Sequence, residues 1–117
     1  MVARYKAKLL VKIEMNDYSF NATTTEVSLQ GLRILCEGGV SKAVFSQYIQ
    51  VTPGENISAD IQVHVPGKRG LVSNFKCAAS LMSVSRISQD SYDVGFKINR
   101  LDEDGYEVWQ NYISTCR

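Results

Sequence analysis

From Tyr5 to Met15 the chain alternates with period two. Tyr5, Ala7, Leu9, Val11, Ile13 and Met15 fall on one side, and Lys6, Lys8, Lys12 and Glu14 on the other, with Leu10 the exception. A helix would scatter these residues around its axis, whereas a strand lays each set along one face. The segment is therefore a strand with one buried side. The same signature returns in Ile57, Ala59, Ile61, Val63 and Val65, and again in Tyr92, Val94, Phe96 and Ile98.

The rest of the chain fits between these strands. Asn16-Asp17 supplies a turn, and a Thr-rich strand follows from about Tyr18 to Val27. After Gly31, Leu32, Ile34 and Cys36 face one way and Arg33 and Leu35 the other, until Gly38-Gly39. The stretch "SKAVFSQYIQV" fits either a short helix, with Val44, Phe45, Tyr48 and Ile49 on one face, or a strand. Pro53-Gly54 is a turn, and Pro66 to Gly70 is a hairpin loop with Lys68 and Arg69 at its tip. From Leu71 to Ile87 the pattern is β, with Phe75, Cys77, Ala79 and Leu81 sharing a face before the apolar positions shift to Met82, Val84 and Ile87. That change of phase predicts a bulge or bend, which a closing barrel requires. Asp102 is placed to cap a closing helix, with Glu103 and Asp104 in its first turn and Tyr106, Trp109 and Ile113 as its apolar face, Tyr112 beside them. The sum is a mainly β domain: about six antiparallel strands in a small barrel, with a C-terminal α-helix packed on it.

Composition removes several functions. A chain of 117 residues is expected to form one domain over residues 1–117. A formal net charge of +1 lacks the broad basic footprint of a nucleic acid polymer binder, yet leaves room for a local cluster serving a small anion. An aromatic platform for single strands would need exposed rings among cations, and Tyr5, Phe75, Tyr92 and Phe96 all sit on core faces. No apolar run reaches the ~18 residues of a membrane span, so no membrane insertion is expected. "MVARYKAKLL" lacks the apolar segment of a secretory signal. The three cysteines, Cys36, Cys77 and Cys116, have no CxxC spacing and read as reduced thiols of a cytoplasmic protein. With His64 the single histidine and no short chelating pair, no metal is expected. His64 lies on the polar side of its strand, the acids are scattered, and there is no phosphate-binding glycine loop, so the chain does not read as an enzyme.

What remains is the stretch "TTTEVSLQGLRIL", Thr23 to Leu35, where a β-branched run breaks at "EVSLQG" and resumes at once. A carboxylate at Glu26 accepts hydrogen bonds from a purine edge, a hydroxyl at Ser28 donates to a phosphate, and Gly31 lets backbone come close to a ligand. Arg4, Lys6, Lys8 and Lys12 precede it and supply cations for phosphate or for stacking. This chemistry suits an anionic purine nucleotide.

The pattern resembles the PilZ domain, the bacterial receptor module for cyclic di-GMP. That family carries RxxxR near its start, then [D/N]xSxxG followed by an apolar strand. Here "EVSLQG" and "LRIL" match the second motif, with Glu26 where the family has Asp or Asn. "RYKAK" places Arg4 and Lys8 at the spacing of the first, with Lys8 replacing its second arginine; Arg4 also fits that second place. "SYDVGFKINRLDEDGYEVWQNYI" resembles the family's closing strand, acidic turn and helix. The resemblance implies a six-stranded antiparallel split barrel and cyclic di-GMP bound by Arg4, Lys8, Glu26, Ser28 and Gly31. It further implies a stand-alone receptor that relays the second messenger to an effector protein in motility, exopolysaccharide or biofilm control. The alternative is a PilZ-like interaction adaptor that no longer binds nucleotide.

Overall fold

The one-sided strands build the wall of a barrel. The computed structural model describes residues 3–15, 18–40, 44, 46, 57–67 and 72–116. Its strands are β1 Tyr5–Lys6, β2 Leu10–Met15, β3 Tyr18–Ser28, β4 Gly31–Glu37, β5 Ser58–Pro66, β6 Val72–Ser88 and β7 Ser91–Leu101, followed by helix α1, Gly105–Thr115. The sheet runs β1-β3-β2-β5-β6-β7-β4, and a further pairing of β3 with β4 closes six of these strands into a ring. Every pairing is antiparallel. The fold is the mainly β barrel with a C-terminal helix that the sequence predicts.

The period-two residues point where expected. Val11, Ile13 and Met15 of β2, Leu32, Ile34 and Cys36 of β4, Ala59, Ile61, Val63 and Val65 of β5, and Val94 and Phe96 of β7 are all buried in one core. Leu10, out of phase in the sequence, is 63 % exposed. Of the ambiguous stretch after Gly39, Val44 is helical and buried, and most of the rest lies outside the described residues. The turns at Asn16-Asp17 and Pro53-Gly54 and the loop cations Lys68 and Arg69 also lie outside them.

Three details depart from the sequence reading. First, the N-terminal strand is broken at Ala7–Leu9. Four residue steps from Lys6 to Leu10 face three from Glu26 to Thr23, so β1 and β2 run along the same side of β3 with a bulge between them. Thr24, 2 % exposed, bridges the break. Its hydroxyl donates to the Ala7 carbonyl at 2.7 Å and accepts from the Leu9 N–H at 2.8 Å. Second, β6 does change register between Leu81 and Ser83, but of Met82, Val84 and Ile87 only Val84 packs against the core. Met82 and Ile87 are exposed, because the bulge turns their side chains out of the barrel.

Third, Asp102 does not cap the helix. The helix begins at Gly105 with Asp104 at the N-cap position, and Asp102 is spent on β6. Its carboxylate accepts from the Lys76 N–H at 3.0 Å, and its own N–H donates to the Lys76 carbonyl at 3.0 Å. Glu103 and Asp104 accordingly precede the helix, and Glu107 is the acid of its first turn. Tyr106 is exposed rather than buried, so the apolar face of α1 is Trp109 and Ile113. Trp109 packs on Phe75 of β6 with ring centroids 5.5 Å apart, and on Tyr112 at 6.0 Å.

Candidate functional site

The stretch "EVSLQG" forms the end of β3, a two-residue turn at Leu29-Gln30, and the start of β4, with Ser28 paired to Gly31. The turn is fastened on two sides. The Trp109 indole N–H of α1 donates to the Ser28 carbonyl at 3.1 Å. The Ile98 N–H of β7 donates to the Gln30 carbonyl at 2.8 Å. A register shift between Thr24 and Glu26 then brings Glu26 opposite Arg33.

Gly31 has a packing reason of its own. A Cβ at this position would run into the backbone carbonyl oxygen of Phe96, because β4 lies against β7 here in the pairing Gly31↔Lys97. Barrel closure therefore demands glycine whether or not a ligand is present.

Outside this turn lies an open cavity of about 1020 Å³, whose lining includes Arg4, Glu26, Ser28, Arg33, Met82 and Lys97. The structure thus brings together Arg4, Glu26, Ser28 and Gly31 of the five residues singled out in the sequence. Lys8 stands apart, in a separate groove with Leu10, His64 and Val72. In that groove His64 Nδ1 lies 2.6 Å from Asn74 Oδ1, a surface pairing between neighbouring strands.

Sequence reasoning passed over Arg33 and Lys97 as cavity residues. Their signal was present: each occupies the outward position beside a buried residue, Leu32 and Phe96, on the two strands that flank the turn. With Arg4 they set three cationic side chains against two carboxylates, Glu26 on the lining and Asp93 paired to Arg33. Arg33 Nε donates to Asp93 Oδ2 at 2.9 Å, with about a quarter of each side chain exposed. Oδ1 of Asp93 is buried and accepts no hydrogen bond among the described residues, so the pair is single-pronged. Burial, with Asp93 adding its charge, pushes the Cys36 thiol up to about 12. Burial, with Asp102 and Asp60, does the same to Cys77. Neither thiol is a nucleophile at neutral pH.

Other features do not converge on this site. Arg86 is occupied with the carbonyls of Ser88 and Gln89, at 3.1 and 3.3 Å. A second groove of about 320 Å³ mixes Lys12, Lys76 and Arg100 with Glu14, Asp60 and Asp102, and so offers no net attraction to an anion. Among the described residues no cluster of His, Cys, Asp and Glu is arranged to hold a metal, and no helix is long and apolar enough to cross a membrane. Phe75 and Phe96 are buried, and Tyr5 and Tyr92 are half-buried, which leaves them no stacking platform for single strands.

Three solved structures share the architecture over almost the whole chain. The inhibitor of motility MotI/DgrA of Bacillus subtilis matches with a TM-score of 0.70 and 12 % identity, over 98 % of this chain and 50 % of its own. The PlzA protein of Borreliella burgdorferi, in complex with c-di-GMP, matches with a TM-score of 0.65 and 10 % identity, over 96 % of this chain and 49 % of its own. The PilZ domain of YcgR from Escherichia coli, with c-di-GMP, matches at 0.58 and 16 % identity, over 98 % of this chain and 88 % of that domain. The fold is PilZ-like. At such identities the likeness is one of fold, and no family model and no curated protein matches the sequence. The PilZ-like barrel spans about half the length of MotI/DgrA and of PlzA.

Proposed function

We propose that the chain is a PilZ-type receptor that binds cyclic di-GMP in the cavity at the β3–β4 turn. It relays the level of this second messenger to an effector protein, in motility, exopolysaccharide or biofilm control. The observation that carries this reading is the meeting of Arg4, Glu26 and Ser28 in one open cavity with a cationic excess. Cyclic di-GMP offers the complementary groups: two phosphodiesters for the cations and the Ser28 hydroxyl, and guanine N–H groups for the Glu26 carboxylate. The likeness to PlzA and to the YcgR PilZ domain, both solved with c-di-GMP, supports the choice of ligand. Nothing in this role calls for catalysis.

Calorimetric titration with cyclic di-GMP tests the proposal, run on the unmutated protein and on Arg4→Ala and Ser28→Ala. Binding that weakens in both variants supports it. Binding that Arg4→Ala leaves unchanged removes the N-terminal segment from the site. A specific observation favours a second reading: Lys8 lies in another groove, so of the motif's two N-terminal cations the cavity receives Arg4 and not Lys8. A protein that gives no heat at high ligand concentration is then a PilZ-like adaptor working by protein contact alone.

A further inference from the structure

The floor of the cavity is made where two strands present no side chain. On the outward face of β4 and β7, Gly31 pairs with Lys97 and Arg33 pairs with Gly95, so the two glycines lie on one diagonal and the two cations on the other. A Cβ on Gly31 would strike the Phe96 carbonyl, a fixed backbone atom, whereas one on Gly95 would meet the Ser83 hydroxyl at 2.7 Å, a side-chain group that can turn aside. The result is a trough with the Ser83 side chain of β6 along its Gly95 edge, a guanidinium at one corner and an ammonium at another. Arg33 is further fixed by Asp93, which sits two residues before Gly95 on the same outward face. Because only Nε engages the carboxylate, the guanidinium is oriented without being closed off by a two-pronged pair.

We infer that Arg33 and Lys97, set in the barrel wall around the Gly31/Gly95 trough, are the phosphate-binding cations of this site, and that Asp93 is the positioning residue of Arg33. They take the part that Lys8 cannot play from its separate groove. This rests on the cyclic di-GMP reading above for its ligand, but the chemistry it names is broader: a phosphate-bearing anion lying across β4 and β7. Cations rooted in paired strands lose less freedom on binding than the same groups on a chain terminus, so the wall is the better place to hold a charged ligand.

The test compares the unmutated protein with Arg33→Ala, Lys97→Ala, Lys8→Ala and Asp93→Asn, each checked for an unchanged circular dichroism spectrum. Cyclic di-GMP is titrated calorimetrically at low and high salt. Removing either wall cation is expected to weaken binding about tenfold or more and to flatten its dependence on salt, while Lys8→Ala changes neither. Asp93→Asn is expected to weaken binding in the unmutated background and to have no effect once Arg33 is alanine; a merely structural role would persist in both. In parallel, pyrophosphate is titrated while the backbone amides of Arg33, Gly95 and Lys97 are followed by NMR. If cyclic di-GMP binds and neither wall cation matters, the inference is overturned and the receptor reading stands. If cyclic di-GMP does not bind but pyrophosphate moves those amides, the receptor reading fails and the anion site stands. If neither ligand is seen, both fall.

Discussion

Replacing Gly31 with alanine separates two explanations of the same motif glycine. The added methyl would sit on the carbonyl oxygen of Phe96, a backbone atom of a strand paired on both sides, by β4 and by β6. No rotamer can relieve that clash, so the strands must part. Overpacking of this kind costs about 1–3 kcal/mol, and a rigid backbone neighbour places Gly31→Ala in the upper part of that range. Unfolding entropy near the midpoint is about 2.1 cal/mol/K per residue, which for 117 residues makes each kcal/mol worth about 4 °C. The expected fall in Tm is therefore about 8–12 °C, in the absence of any ligand. Thermal melting followed by circular dichroism measures it, with Ser28→Ala as the control. The Ser28 hydroxyl makes only a 3.4 Å contact to the Gly31 carbonyl, so its loss is expected to stay within about 0.5 kcal/mol. A Gly31→Ala protein that melts with the unmutated one but no longer binds ligand would refute the packing argument and return the glycine to the ligand.

The remaining expectations concern the bulge and the thiols. Thr24→Val removes the hydroxyl that satisfies both Ala7 and Leu9 while keeping the shape, and is expected to cost about 2–4 kcal/mol in urea unfolding; Thr25→Val, at an exposed 3.4 Å contact, is expected to cost almost nothing. At pH 8 a chromogenic thiol reagent is expected to label Cys116 alone in the folded protein and all three cysteines in denaturant, since Cys36 and Cys77 are buried. Those two thiols also set an alkaline limit. Their folded values are raised from 9.0 to about 12, so the stability tied to their protonated form is complete below pH 9. It is lost as pH rises toward 12, because the unfolded chain ionises there and the folded one does not, with a slope of at most about 1.4 kcal/mol per pH unit for each thiol. A urea midpoint that stayed constant from pH 8 to pH 11 would contradict this.

The strands were legible because a barrel wall has one dry face, and period two records it residue by residue, down to the misfit of Leu10. The break at Ala7–Leu9 was not legible, because the hydroxyl that sustains it belongs to Thr24 on another strand. Arg4 and Lys8 share a spacing that suggests one site. The bulge bends the chain between them, and they enter different grooves. Asp102 reads as a cap in sequence but finds a stronger claim in the backbone of Lys76, 26 positions away. The turn itself was found from its motif. Arg33 and Lys97 could be joined to it only by the register of β4 on β7, which no single segment encodes.

The hydrogen bond from Trp109 to the Ser28 carbonyl has an optical consequence. Trp109 is the chain's one tryptophan, so emission excited at the red edge, where the six tyrosines do not absorb, comes from a single indole resting on the turn of the candidate site. Indole emission responds to the polarity and bonding of its N–H. The molecule thus carries its own dye at the joint between turn and helix, and a change in that single contact is visible without any label.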